Sequence, residues 1–431
     1  MEDTQPTPEA VMKFLGSIPL LQRLPCSSVK KITEVIKFKN FDNGEYLVHE
    51  GEVGDSVYFI WKGEVEVSPP TESEALRHLE LVLRQGDYFG YGIGSVKETH
   101  LADVIALSKV ICLVLSHEHT DLLSAESIWN AEQKMGSCSK VEHILQLENI
   151  EVDIFRGITL PDAPMFGNVF GGQLISQALA AASKSVDPLM LAHSLHSYFL
   201  RTGDVNLPII YHIHRIRDGN SFSTRQVVAK QRGHEIFSMF ASFQKPEKGF
   251  EHHEPMPSAP DPDMLVSREK LLESYLTDPR VPMSKRNSLA KRNIAPWPIE
   301  IRFCDTYDDF NIVAREPRQK YWLRARGKLS DDLALHWCVA AYASDLNFLD
   351  TSVLPHHRKG EKISSLSLDH SMWFHKPFKA DEWLLFVMES PIASNGRGFN
   401  IGRMYTRSGE LVVSVAQEGL IRKKMQPRAK L

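Results

Sequence analysis

The chain has 431 residues, 42% hydrophobic and 24% charged, the profile of a folded soluble protein with apolar material for roughly two to four domains. A formal net charge of −4 provides no global basic field, so nucleic acid is not an expected partner. Cys26, Cys112, Cys138, Cys304 and Cys338 lack metal-ligand spacing and read as reduced thiols of an intracellular protein; no stretch is long and apolar enough to span a membrane, and the acidic opening is not a secretory signal.

From about Phe14 to Ile128 a helical start (Leu20, Leu21, Leu24, Val29, Ile32, Ile36) leads into short strand-like runs punctuated by Gly44, Gly51, Gly54, Gly63, Gly86 and Gly90. Tyr58–Trp61 and Val65–Val67 flank Lys62-Gly63 as in a hairpin, and Ile105–Leu115 suits one buried strand. These elements predict a small β-roll with flanking helices. Residues from Ser124 to about Glu148 read as helix or linker. Gly171-Gly172 then opens an alanine-rich helix with Leu174, Ile175, Ala178, Leu179 and Ala182, followed by strands at Ser194–Leu200, Ile209–Ile216, Phe222–Lys230 and Ile236–Phe243. Prolines and charges between about Lys245 and Pro262 predict a connecting loop.

The pattern then repeats. A helix over Leu333–Ala343 precedes strands at Ser365–His375, Trp383–Glu389, Phe399–Tyr405 and Leu411–Ile421. His196-Ser197-Tyr198-Phe199 answers His370-Ser371-Met372-Trp373-Phe374, Phe222-Ser223-Thr224-Arg225 answers Phe399-Asn400-Ile401-Gly402, and Gly233-His234-Glu235-Ile236 answers Gly409-Glu410-Leu411. Such self-similarity predicts a duplicated α+β domain, each copy one helix wrapped by an antiparallel meander, with sites between the halves.

Ala343-Ser344-Asp345-Leu346-Asn347-Phe348-Leu349, Asp369-His370-Ser371-Met372-Trp373-Phe374-His375 and Val415-Ala416-Gln417-Glu418-Gly419 resemble the acyl-CoA thioesterase II family, as do Phe170-Gly171-Gly172-Gln173 and Phe222-Ser223-Thr224-Arg225. The resemblance covers roughly residues 145 to 425 and implies a double hotdog that hydrolyses fatty acyl-CoA with a water nucleophile. It carries the water-orienting roles over to Asp345, Ser367 and Gln417, with Ser367 standing where Thr is common. A carboxylate can take a proton from water, while a hydroxyl and an amide hold the same molecule. Gly171 and Gly172, opening the first helix, are expected to bring backbone N–H groups to the substrate carbonyl, and His370 to line the pocket. The first copy places Ala241 roughly opposite Gln417 and His193 opposite Ser367, so one active site per duplicated unit is expected. Lys376, Arg397 and Arg403 are possible CoA phosphate partners. No cofactor is called for. His212 with His214, His252-His253, His356-His357, and His370 with His375 lack a third ligand at sensible spacing, so no metal is expected. No Gly-x-Ser-x-Gly elbow surrounds a nucleophile.

Gly51–Ile60, Gly63–Val67 and Gly86-Asp87-Tyr88-Phe89-Gly90 resemble the cyclic-nucleotide-binding domain over about residues 15 to 130. That family holds ribose with a Glu and the cyclic phosphate with an Arg; Tyr91 and Leu101 stand in those places, with Asp103 nearby. The resemblance therefore implies the fold without high-affinity cAMP or cGMP binding, as a regulatory or oligomerising module. The closing Ala429-Lys430-Leu431 is a close variant of the Ser-Lys-Leu address read by the peroxisomal import receptor, implying the peroxisomal matrix and a likeness to the plant-type peroxisomal thioesterases. The expected division is a nucleotide-binding-like domain over 1–130, a linker over 131–144, a first hotdog over 145–250, a linker over 251–290, a second hotdog over 291–425 and an exposed tail over 426–431. A homo-oligomer is expected by family analogy. Two other readings are an acyl-CoA-binding regulator without turnover, which has no use for the water-orienting set, and a hydroxyacyl-thioester dehydratase, which needs His375 or His193 beside the substrate.

Overall fold

The computed structural model of the protein describes residues 6–18, 20–21, 24, 26–54, 56–68, 82–90, 99–100, 102–123, 139–160, 167–279, 281–292, 297–305, 314–356 and 363–423. Its contacts divide the chain into two compact units, Met1–Gly136 with Glu269–Pro296, and Ser137–Arg268 with Trp297–Leu431.

The first unit carries helices Pro8–Ser17 and Cys26–Val35 and strands β1 (Lys37–Phe41), β2 (Tyr46–Val48), β3 (Ser56–Lys62), β4 (Val65–Val67), β5 (Val82–Leu83), β6 (Tyr88–Gly90), β7 (Val104–Ala106) and β8 (Val110–Ser116). They form two four-stranded antiparallel sheets, in the orders β1-β8-β3-β6 and β2-β7-β4-β5. Tyr58, Ile60, Val65, Val67, Phe89, Val104, Cys112 and Val114 share one apolar core. The expected hairpin across Lys62-Gly63 does not form, because β3 and β4 lie in different sheets. The chain crosses between them at Gly63, where φ is +98° and a Cβ would stand 2.6 Å from the Lys109 carbonyl oxygen. The single strand expected over Ile105–Leu115 is likewise two, β7 and β8, one in each sheet. The connector expected over 251–290 contains helices Arg268–Thr277 and Met283–Arg292. Arg286 of the second is fully buried and donates to the carbonyls of Val281 and of Tyr88 on β6. Asp103 accepts the Glu50 N–H at 2.8 Å, whereas Tyr91 and Leu101 lie outside the described residues.

The second unit holds strands β9 (Glu148–Glu151), β10 (Ile154–Gly157), β11 (Leu191–Phe199), β12 (Ile209–Asp218), β13 (Phe222–Gln231), β14 (His234–Gln244), β15 (Ile299–Phe303), β16 (Arg318–Ala325), β17 (Ile363–Ser367), β18 (Asp369–Phe374), β19 (Leu384–Ser394), β20 (Arg397–Thr406) and β21 (Leu411–Lys423). Among the described residues these make one thirteen-stranded sheet, in the order β15-β16-β19-β20-β21-β18-β11-β14-β13-β12-β10-β9, with β17 also on β21. The two copies meet at the antiparallel β11–β18 pair, where Leu195 faces Met372, both fully buried. With Phe199 answering Phe374, the equivalent residues His196 and Ser371 face each other at the seam, and His196 Nδ1 lies 3.1 Å from Ser371 Oγ.

The sheet wraps two helices, Gly171–Ser183 and Leu333–Ser344, which pack against each other. Their alanines, Ala178, Ala181 and Ala182 in one and Ala340, Ala341 and Ala343 in the other, are all buried, and their small side chains permit that approach. Asp332 caps the second helix by accepting the Ala334 N–H at 2.9 Å. The result is a double hotdog. Strands β15 and β16 and the outer strands β9 and β10 extend the meanders read from the sequence.

Candidate active site

Asp345 is the residue that ends the second central helix. Its place follows from the local chain: Leu346 N–H closes back on the Ala343 carbonyl, and Asn347 adopts the left-handed region (φ 56°) that turns the backbone out of the helix. The C-terminal end of a helix carries partial negative charge, an unfavourable place for a carboxylate. The N-terminus of the first central helix compensates, with Gly172 N–H donating to Asp345 Oδ2 at 2.9 Å. Only glycine permits this contact. A Cβ on Gly171 would stand 2.6 Å from Asp345 Oδ2, and one on Gly172 would stand 2.4 Å from the Tyr342 carbonyl oxygen.

Ser367 arrives from the other direction, at the end of β17. Ser367 pairs with Gly419 and Ser371 with Ala416, so four steps along β17–β18 match three along β21. The extra residue is a bulge, and bulges re-aim side chains. It lets Ser367, His370 and Met372 all face the helices, where strict alternation would send one outward. Gln417 lies on the helix-facing side of β21 and is fully buried. Its Nε2 donates to Asp345 Oδ1 and to Ser367 Oγ, both at 2.8 Å. The three residues singled out from the sequence thus form one hydrogen-bonded group.

The electrostatics of the group follow from its burial. Desolvation pushes the Asp345 carboxyl up to about 7, against the lowering effect of the hydrogen bonds from Gln417, Gly172 and Ser367. A carboxylate at that value exchanges protons near neutrality. Gly172 N–H is committed to this carboxylate, while Gly171, as the first helical residue, has no acceptor for its N–H within the helix. The ring of Phe199 lies 3.0 Å from where a Gly171 Cβ would be, so the first copy supplies that wall.

His370 is fully buried, and burial pushes its imidazole down to about 3. Ser344 Oγ lies 2.9 Å from both the Ala341 carbonyl oxygen and His370 Nε2. This contact supports the end of the helix just before Asp345. His193 and His375 bond Ser242 and Ser414, each at 2.8 Å. Lys376 is paired with Glu251 and Glu410, Arg397 with Glu418, and Arg403 with Glu254 and Glu389. A phosphate would have to compete with those carboxylates. Among the described residues no group of three or more His, Cys, Asp or Glu could hold a metal ion, and no helix is long and apolar enough to cross a membrane. His357 and Ala429, Lys430 and Leu431 lie outside the described residues.

Sequence reasoning missed the partnership between Asp345 and Gly172, and it missed Asn400. That side chain is fully buried beside Gln417, and its only sequence signal is a polar residue at an inward position of a strand.

Residues 289–420 match the family model for acyl-CoA thioesterase, 159–244 that for the acyl-CoA thioesterase N-terminal domain, and 38–126 that for the cyclic nucleotide-binding domain. The chain is 45% identical over 288 residues to acyl-coenzyme A thioesterase 8 of Mus musculus, covering 66% of this chain and 90% of that protein. It is 27% identical over 331 residues to peroxisomal acyl-coenzyme A thioester hydrolase 1 of Saccharomyces cerevisiae, covering 66% and 94%. The crystal structure of acyl-CoA thioesterase II TesB2 from Mycobacterium marinum is similar with a TM-score of 0.52 and 39% identity, covering 66% of this chain and 98% of that one.

Gly172→Ala tests the close helix approach. The added methyl must push the first helix away from Tyr342, and destabilisation by about 1–3 kcal/mol is expected in urea denaturation. A variant as stable as the wild type would show that the helices do not depend on this glycine.

Proposed function

Because the chain belongs to the acyl-CoA thioesterase II family, we propose that it hydrolyses fatty acyl-CoA to free fatty acid and CoA with a water held by Asp345, Ser367 and Gln417. The observation that carries the residue assignment is the convergence of these side chains from a helix end and two strands onto one hydrogen-bonded group. In this reading the water oxygen attacks the thioester carbonyl carbon while its proton passes to Asp345. The tetrahedral intermediate collapses, the carbon–sulfur bond breaks, and the CoA thiolate leaves and takes up a proton. Gly171 N–H stands where a helix N-terminus can steady the developing oxyanion.

Water, rather than Ser367, is the favoured nucleophile. A serine needs an adjacent base to lose its proton. Ser367 Oγ accepts from Gln417, and the buried imidazole of His370 is turned to Ser344. Dehydration is disfavoured on the same grounds, since His193 and His375 are held by Ser242 and Ser414.

Release of free CoA from a series of acyl-CoA esters tests the assignment. Asp345→Ala and Gln417→Ala should each lose about 10²–10⁴-fold in kcat while remaining folded. The base must be ionised, so kcat/KM of the wild type should fall as pH drops through about 7. Turnover that survives both substitutions would mean that the chemistry lies elsewhere.

The peroxisomal name of the yeast relative supports action in peroxisomes, with Ala429-Lys430-Leu431 as the import address. An N-terminal fluorescent fusion should collect in peroxisomes and lose that location when the tripeptide is deleted. Cytosolic fluorescence of the intact fusion would reject the address.

We read the N-terminal domain as a regulatory or oligomerising module that does not bind cAMP or cGMP tightly, since Tyr91 and Leu101 stand where its family holds ribose and phosphate. Isothermal titration with both nucleotides should give no micromolar binding. Micromolar affinity for either would overturn this reading.

A further inference from the structure

Strand β20 places Asn400 directly opposite Gln417 of β21, and both side chains are fully buried. Gln417 commits its amide nitrogen to Asp345 and Ser367, which turns Oε1 away from them. Among the described residues that oxygen has no partner, and neither has Nδ2 or Oδ1 of Asn400. Three desolvated polar atoms on two adjacent side chains are costly unless they serve each other. Opposed residues of an antiparallel pair have Cβ atoms about 5 Å apart, so amides on the two come within reach of one bridging water.

The duplication supplies an independent observation. In the first copy Arg225 faces Ala241, the residue that answers Gln417, so Arg225 answers Asn400, two residues before Gly402, its counterpart by sequence pairing. The Arg225 guanidinium donates to the hydroxyl and the carbonyl of Ser185, just past Lys184, the residue that caps the first central helix. This strand position therefore reaches for the end of the central helix. In the second copy that end is Asp345.

We infer that Asn400 is a positioning residue for thioester hydrolysis: its Nδ2 donates through one buried water to Gln417 Oε1 and keeps the Gln417 nitrogen turned toward Asp345 and Ser367. The inference rests on the thioesterase reading above. Without this anchor the Gln417 amide can flip and present its oxygen to the Asp345 carboxylate. Acceptor would then face acceptor, and the nucleophilic water would lose its fixed frame.

Asn400→Leu keeps the side-chain size and removes both polar ends. The variant should melt no lower than wild type, with kcat for acyl-CoA hydrolysis down by about tenfold or more and KM within about twofold. The acid limb of kcat/KM should move to higher pH, because Asp345 loses a hydrogen bond that favours its charged form. Among the described residues, Tyr342 on the same helix and Asp350 on the following turn couple to Asp345 electrostatically, and the variant leaves both in place.

An unmoved acid limb, with or without a loss of stability, overturns the inference, since a merely structural role predicts it. Should Asn400→Leu fail to fold, a wild-type crystal structure that resolves ordered water decides. A one-water link from Asn400 to Gln417 Oε1 supports the inference, and its absence overturns it. A wild type inactive on acyl-CoA sinks the parent reading and this one with it. An active wild type with an indifferent Asn400→Leu sinks this one alone.

Discussion

The second unit is organised around a carboxylate placed between two helix ends. Asp345 closes its own helix, where the local field opposes negative charge, and the N-terminus of the other helix supplies the N–H that makes the position tenable. That contact requires the two helices to meet end against end, and so requires glycine at 171 and 172. Further constraints lie on the second copy's sheet. A Cβ on Gly398 would collide with Ser352 and one on Gly419 with Leu349, so glycine at these positions admits the turn that follows Asp345. The seam at β11–β18 then holds the two copies in the register that aligns the helices.

Duplication explains why one fold can carry this polar group in one copy alone. Both copies make the helix, the meander and the inward face, yet the corresponding polar positions diverge. The first copy has Lys184 at the helix end, Ala241 on the last strand and Arg225 beside it; the second has Asp345, Gln417 and Asn400. Arg225 anchors backbone and Asp218, a role in holding structure. The first copy has kept the scaffold and contributes Gly172 N–H and Phe199 to the candidate site of the other.

The helices and most strands were legible because their signals are local. Alanine-rich runs behind Gly171 and before Asp345, and alternation along Phe222–Lys230 or Leu411–Ile421, survive in a single sequence. What misled was topology. Lys62-Gly63 has the chemistry of a tight turn, but the left-handed glycine serves a crossing between sheets, a choice set by partners more than forty residues away at Lys109 and Val110. The bulge after Ser367 left no punctuation at all, since no glycine or proline marks Leu368, Asp369 or His370. Asp345, Ser367 and Gln417 were legible only through family resemblance, because each taken alone is an ordinary polar residue. Their mutual hydrogen bonds depend on that bulge and on the meeting of the helices, and neither is written locally.

The same constraint sets a cost in stability. In the unfolded chain Asp345 titrates near its ordinary 3.8, whereas in the fold burial moves it up to about 7. Between those values the folded protein holds a proton that the unfolded chain has released, so stability falls as pH rises through this window. The contribution of the neutral carboxyl is complete below the lower value and lost above the upper one. A group kept only for folding would be expected to lie the other way, with its charged form favoured by the native structure. Desolvation here outweighs the hydrogen bonds from Gln417, Gly172 and Ser367, and the ionised form is therefore basic enough to accept a proton near neutrality. The burial that weakens the fold above neutrality is the burial that suits the carboxylate to the role proposed for it.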